Sequence, residues 1–205
     1  MLSCTGFDDW SGAYDESISK LCEGYPFEGY YEVLSFVNQC ADLSNGIRVL
    51  DIGIGTGLLT KELYQQGAEI YGIDFSPKML ELAKHCMPNG KFFCHDFVNG
   101  LPVEIKPIKF NYIISSYAIH HLDNDKKLSF IAELKDSLED NGKIIIADIA
   151  FRTKDEMKHY RENTKGWDED EIYMTADEMT ENLRKRMINS TYTQISSCAG
   201  VLEIV

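Results

Sequence analysis

The 205-residue sequence predicts a doubly wound α/β fold built on a mostly parallel sheet. Two features point there. From about residue 47 onward, short apolar runs alternate with amphipathic, helix-patterned segments, the mark of successive β-α-β units. The runs are apolar along their length, as in strands that helices cover on both faces. A third feature lies at the C-terminus, where two β-patterned runs joined through Ser197–Gly200 read as an antiparallel hairpin closing one edge. Five parallel strands and this hairpin make a seven-stranded sheet.

The elements follow in order. Tyr30, Val33, Leu34 and Val37 are spaced i, i+3, i+4, i+7 and predict a helix in an N-terminal segment rich in aromatics. Ser44–Gly46 is a turn signal before the first strand, Ile47–Ile52. Thr56–Gly67 is an amphipathic helix ending at its glycine, and Glu69–Asp74 is the second strand. Ser76 as N-cap and Pro77 at the first helical position start a helix that runs to Cys86. Lys91–Asp96 and Phe110–Ser116 are the third and fourth strands. Lys126–Leu138 is a helix stopped near Asp140–Gly142, and Lys143–Ile149 is a strongly β-branched fifth strand. Phe151–Trp167, charged and weakly patterned, reads as a helix plus an exposed loop. Thr175 with Glu178 fits a capping box for a helix reaching about Met187. Thr191–Ser196 and Val201–Val205 form the hairpin. The expected organisation is one domain: an N-terminal helical cap over 1–46, a cofactor-binding core over 47–150, a variable segment on the substrate side over 151–187, and the closing hairpin over 188–205.

Composition narrows the function. With 44% hydrophobic and 26% charged residues, the chain is typical of soluble globular proteins. Its formal net charge of −13 argues against nucleic acid and anionic lipid as partners, since both are bound through Lys and Arg. No apolar run approaches the roughly 18–20 residues of a membrane span. The first ten residues have neither the basic nor the apolar region of a secretory signal. The six cysteines are scattered without a CxxC, as expected for reduced thiols in a cytoplasmic protein. No spacing suggests a metal site; His85 and His95 lack a set of partners, and no metal is expected.

The stretch Val49–Thr60, "VLDIGIGTGLLT", has the outline of a nucleotide loop. A triphosphate loop needs Lys and then Ser or Thr after its last glycine, whereas Leu58 and Leu59 follow Gly57. A dinucleotide fingerprint, G-x-G-x-x-G, places its third glycine where Leu58 stands. The spacing is G-x-G-x-G, with Asp51 two residues before the first glycine. A carboxylate there is poorly placed for a pyrophosphate and suits a cationic group such as an ammonium or a sulfonium.

These residues resemble the class I S-adenosylmethionine-dependent methyltransferases. "DIGIGTG" matches that family's first motif, an acid followed by G-x-G-x-G at the end of strand one. Asp74, 21 residues after Gly53, matches the acid that ends strand two and receives both ribose hydroxyls. Asp96 matches the acid after strand three that holds the adenine amino group. "IISSYAIHHL" resembles the fourth motif of small-molecule members. Together the four motifs span Arg48–Asp148. "FDDWSGAYDESI" looks like the entry segment that folds over the cofactor in many such enzymes. "NGKIIIADIAF" is similar to the turn and fifth strand of a group of bacterial methyltransferases of unassigned substrate, with Asn141 in place of their first glycine.

The resemblance implies a Rossmann-like fold, S-adenosylmethionine as cofactor with S-adenosylhomocysteine as product, and a small-molecule methyl acceptor. It implies roles residue by residue. Gly53, Gly55, Thr56 and Gly57 would face the methionine portion, with Asp51 toward its ammonium and Tyr14 closing over its carboxylate. Asp74 would take the ribose, flanked by Phe75 and Ser76, and Asp96 with Phe97 the adenine. Ser115 and Ser116, ending strand four, would face the methionine. His120 is the candidate catalytic base; His121 is expected to pack or to satisfy backbone groups. Ser115-Ser116-Tyr117-Ala118 stands where adenine and glutamine methylating enzymes carry N/D-P-P-Y, and there is no Pro-Cys pair for cytosine C5 chemistry. Two other readings stay open: a non-catalytic protein that binds these adenosyl ligands, and a nucleotide oxidoreductase, which Leu58 disfavours. A monomer or a homodimer is expected.

Overall fold

At the heart of the computed structural model, which describes residues 24–41 and 46–205, β1 (Arg48–Ile52) lies between β2 (Glu69–Asp74) and β4 (Phe110–Ser116). Trp10 and Tyr14 fall outside the described residues. β3 (Lys91–Cys94) extends the sheet beyond β2, and β5 (Leu138–Phe151) pairs with β4. All these pairings are parallel. β7 (Ser190–Gln194) and β8 (Ala199–Ile204) form the antiparallel hairpin, with β8 against β5, so the order is β3-β2-β1-β4-β5-β8-β7. The order reverses between β1 and β4. In open α/β sheets the cleft beyond the strands' C-terminal ends at such a reversal is where ligands bind.

Alternate residues of the strands feed two cores. Leu50, Ile52, Ile113, Ile144 and Ile146 pack on one face with α4 (Asn124–Lys135) and α6 (Ala176–Lys185), through Ile131, Leu134, Met179 and Leu183. Val49, Ile114, Ile145 and Val201 pack on the other face. There they meet α1 (Tyr30–Cys40), α2 (Thr60–Gln65) and α3 (Pro77–Cys86), through Val33, Val37, Leu63 and Ala83. Each leucine or isoleucine fully buried this way contributes about 1.5–3 kcal/mol. The helix of the expected cap, α1, thus covers a sheet face. α5 (Lys154–Asn163) buries no residue fully, in keeping with its charged sequence.

Three local expectations are corrected. The helix expected from Thr56 begins only at Thr60, because Gly57 has φ 81°, which a right-handed helix cannot contain. An eighth strand, β6 (Met174–Thr175), pairs in parallel with Ala150–Phe151; two residues are too few to show a period. The Thr175–Glu178 capping box does not form. Thr175 sits at the N-cap of α6, but its hydroxyl is buried within β6 and makes no cap hydrogen bond, while Glu178 pairs with Lys154 Nζ at 3.0 Å. The Ser76 cap does form: its Oγ accepts from Met79 N at 3.2 Å. Among the described residues no helix is long and apolar enough to cross a membrane.

Candidate active site

The loop after β1 turns on its glycines. Gly53, Gly55 and Gly57 take φ of 71°, 55° and 81°, a region that side chains make costly. Gly53 N and Ile54 N both donate to Ile73 O, at 2.8 and 3.0 Å, tying the loop to β2. A Cβ on Gly53 would lie 2.6 Å from Ala118 Cβ, and one on Gly57 2.5 Å from Met87 Cε. A Cβ on Gly55 would meet nothing within 4 Å among the described residues. Two of the glycines therefore permit close packing of the protein on itself, and Gly55 has space beside it among those residues. Gly53→Ala should lower stability by more than the roughly 1–2 kcal/mol of left-handed strain alone, whereas Gly55→Ala should lose about that strain. Thermal unfolding of the two variants checks this; equal losses would contradict the open space at Gly55.

Three acids end the first three strands. Asp74 is buried, its Oδ2 accepting from Gly55 N at 2.9 Å and its Oδ1 from Ser76 N at 2.8 Å. Asp51 is also buried; its Oδ2 accepts from Thr60 Oγ1 at 3.1 Å, while its Oδ1 has no partner among the described residues. Burial pushes its pKa up to about 7, with the Thr60 bond opposing and the Asp74 charge adding to the rise. Asp96 is exposed and caps the 3₁₀ turn Phe97–Asn99 by accepting from Val98 N at 3.0 Å. Phe97 is buried in the core, stacked on Phe130 with ring centroids 5.9 Å apart. Phe75 and Ser116 are half-buried, while Thr56 and Ser76 are buried. Ser115 Oγ donates to Ile52 O at 2.9 Å, joining the ends of β4 and β1. The sequence-predicted residues on β1, β2 and β4 thus come together at the reversal of strand order, and Asp96 stands at the end of β3.

A second polar group lies past β4. Tyr117 has φ 50°, and the 3₁₀ turn Ile119–His121 follows. His120 N donates to Asp148 Oδ2 at 2.9 Å, and His120 Nδ1 lies 2.6 Å from Asp148 Oδ1. Ile149 N also donates to that Oδ1, at 2.7 Å. Burial alone would lower the His120 pKa, but the charge and hydrogen bond of Asp148 outweigh it and the net shift is upward. Burial likewise works against an ionised Asp148, yet His120 and Ile149 N hold its carboxyl below the usual range. Neutral His120 donates from Nδ1, which leaves the lone pair on Nε2.

His121 Nδ1 lies 3.0 Å from Glu171 Oε2, and the two imidazole rings are 4.3 Å apart. His121 was expected to pack or to satisfy backbone groups; it has a carboxylate partner. Lys127, fully buried on α4, donates from Nζ to Leu122 O and Ile172 O at 2.7 and 2.5 Å. Its pKa is pulled down to about 8 by burial, against the charges of Asp148, Asp123 and Glu171. Tyr173 and Tyr25 share a 2.5 Å hydroxyl hydrogen bond, and Trp167 stacks on Tyr25 and meets Tyr173 edge-on. Sequence reasoning missed Asp148, Glu171 and Tyr173. For Asp148 a signal existed: a single acid inside the apolar run "KIIIADI", where only a paired charge is stable. Glu171 lies in the acidic run "DEDE", which gives no such sign.

Comparison with known proteins agrees with this arrangement. Residues 49–142 match the family described as a methyltransferase domain. An uncharacterized methyltransferase of Geobacillus sp. (strain WCH70) is 32% identical over 209 residues, covering 97% of this chain and 95% of that protein. A counterpart in Bacillus subtilis (strain 168) is 28% identical over 97% of this chain and 95% of its own. Among solved structures, a DhpI complex with S-adenosylhomocysteine superposes with a TM-score of 0.75 at 14% identity, covering 98% of this chain and 94% of that one. Magnesium protoporphyrin IX methyltransferase from Synechocystis PCC 6803, with bound S-adenosylhomocysteine, gives 0.67 at 18% identity and 99% coverage of both chains. The fold is that of these methyltransferase structures. The chain belongs to the class I S-adenosylmethionine-dependent methyltransferases.

Proposed function

We propose that the protein binds S-adenosylmethionine at the strand reversal and transfers its methyl group to a small-molecule acceptor seated near His120. The observation that carries the reading is Asp51 Oδ1, a buried carboxylate oxygen without a partner among the described residues, two positions before the first glycine of the loop. Such an orphan is costly unless a cationic group completes it. An amino-acid ammonium does so. Asp74 would take the ribose hydroxyls, with Phe75 and Ser76 beside the adenosine and Asp96 at the adenine. Gly53, Gly55, Thr56, Gly57, Ser115 and Ser116 would surround the methionine portion. Bound there, the sulfonium supplies an already activated methyl carbon, so the protein's work is alignment and exclusion of water.

His120 is the group we place against the acceptor. With Nδ1 committed to Asp148, Nε2 takes the proton that a hydroxyl, thiol or amine releases on methylation. Incubation with labelled S-adenosylmethionine and a whole-cell extract, fractionated afterwards into small molecules, nucleic acid and protein, tests this reading. Label should appear in a small molecule and be lost in His120→Ala; label found only in nucleic acid or protein would overturn the acceptor class.

The Asp51 assignment has a pH signature. Its ionised form is needed for the ammonium, and in the free protein it ionises only near pH 7. Affinity for S-adenosylhomocysteine should therefore rise by up to about tenfold per pH unit below 7 and level off above it. Asp51→Asn should flatten that dependence, as should 5′-methylthioadenosine, which lacks the ammonium. A flat profile for the unaltered protein would exclude Asp51 from the ammonium site.

A further inference from the structure

We infer that His120, His121 and Glu171 form a binding site for one divalent transition-metal cation at the end of β4. Each offers one ligand atom, all three atoms lie within 4.8 Å of one another, and all three residues are partly buried. Two imidazoles and one carboxylate make a donor set for Zn²⁺, Co²⁺, Mn²⁺ or Fe²⁺, softer than the all-oxygen sets of Mg²⁺ and Ca²⁺.

The ligands are held from outside the group. His120 Nδ1 rests on buried Asp148, whose carboxylate also receives His120 N and Ile149 N. A carboxylate behind a histidine, fixing its ring and leaving the other nitrogen for the ion, is the usual outer partner of metal-bound imidazole. Glu171 is positioned through its neighbour, since Ile172 N donates to His120 O at 3.1 Å and Ile172 O receives Lys127 Nζ. The His121–Glu171 separation of 3.0 Å is close to the roughly 3.3 Å ligand spacing that follows from tetrahedral metal–nitrogen bonds of about 2.0–2.1 Å. A proton joins that pair in the metal-free protein, and the cation would take its place. Among the described residues, the carboxylates of Asp148 and Glu171 act on this group beside the ammonium of Lys127, and both carboxylates attract a dication.

The three ligands among the described residues leave a coordination position for a further donor, as in catalytic rather than structural sites. It would take a hydroxyl, carboxylate or thiol of the acceptor. A hydroxyl or thiol bound there is acidified by the ion and releases its proton to solvent, the ion then occupying the Nε2 lone pair that serves as base in the metal-free form. This last role rests on the proposed function; the site itself does not.

The test is a titration of the full chain, stripped with a chelator, with Co²⁺ followed by visible absorption and with Zn²⁺ followed by calorimetry. One ion per chain is expected, with tetrahedral Co²⁺ bands. Glu171→Gln and His121→Ala should each weaken binding at least about 100-fold, and Asp148→Asn about 10–100-fold. S-adenosylhomocysteine affinity, measured on the same samples, should be unchanged in Glu171→Gln and His121→Ala, which shows that they fold and reports on the donor site separately. Absence of a stoichiometric ion, or binding that survives both substitutions, overturns the inference.

Discussion

Asp74→Ala is expected to weaken S-adenosylhomocysteine binding by at least about 100-fold. Two ribose hydroxyls donating to an ionised carboxylate form charge-assisted hydrogen bonds, each worth roughly 1.5–3 kcal/mol, and 1.4 kcal/mol is a factor of ten in affinity. The substitution acts a second way, because Gly55 N and Ser76 N lose their acceptor and the loop its tie to β2. Asp74→Asn separates the effects. Its amide oxygen can still accept one N–H, so unfolding should move less than in the alanine variant while affinity still falls steeply. Affinity within threefold of the unaltered protein, with the fold intact, would remove Asp74 from the ribose site.

Asp148→Asn should reduce methyl transfer by about 10³-fold, within the 10²–10⁴ range that positioned acid–base groups contribute. Asp148 touches no ligand; it is a positioning residue that fixes the His120 ring and its tautomer. A readout that a purely structural role would not move is the imidazole's own titration. In chelator-treated protein, NMR should place the His120 pKa above the ordinary 6.5 of histidine, and Asp148→Asn should lower it. Stability follows the same linkage. The raised His120 pKa stabilises the fold below the ordinary histidine value, and that contribution is lost as pH rises through the folded-state pKa. The depressed Asp148 pKa stabilises above the ordinary carboxylate value and is lost as pH falls through its own folded-state pKa. The pair therefore helps most between roughly pH 4 and 6.5. An unshifted His120 titration in Asp148→Asn would leave Asp148 with packing alone.

Much of the sheet could be read from the chain because strands covered on both faces are apolar along their whole length. Glu69–Asp74 and Phe110–Ser116 coincide with observed strands residue for residue. Ser76-Pro77 fixed a helix start through local chemistry, a cap oxygen and a preset φ. The start of α2 was not legible, since it depends on the positive φ of Gly57, where a Cβ would also meet Met87 and Ala83. The residues proposed for the donor end could be picked out together because Asp51, the glycines and Asp74 lie in one short β-α-β unit. The acceptor end was not. Asp148 meets His120 across 28 residues and Glu171 meets His121 across 50, and no spacing rule spans such distances. The same reason hid the three-ligand group: its members are adjacent only after β4 and the segment before β6 have come together.

Calorimetric titration of the full chain with S-adenosylhomocysteine and, separately, with NAD bears most directly on the central claim. Binding of one S-adenosylhomocysteine per chain, with no heat from NAD, is the predicted result. NAD binding without the adenosyl ligand would contradict the claim.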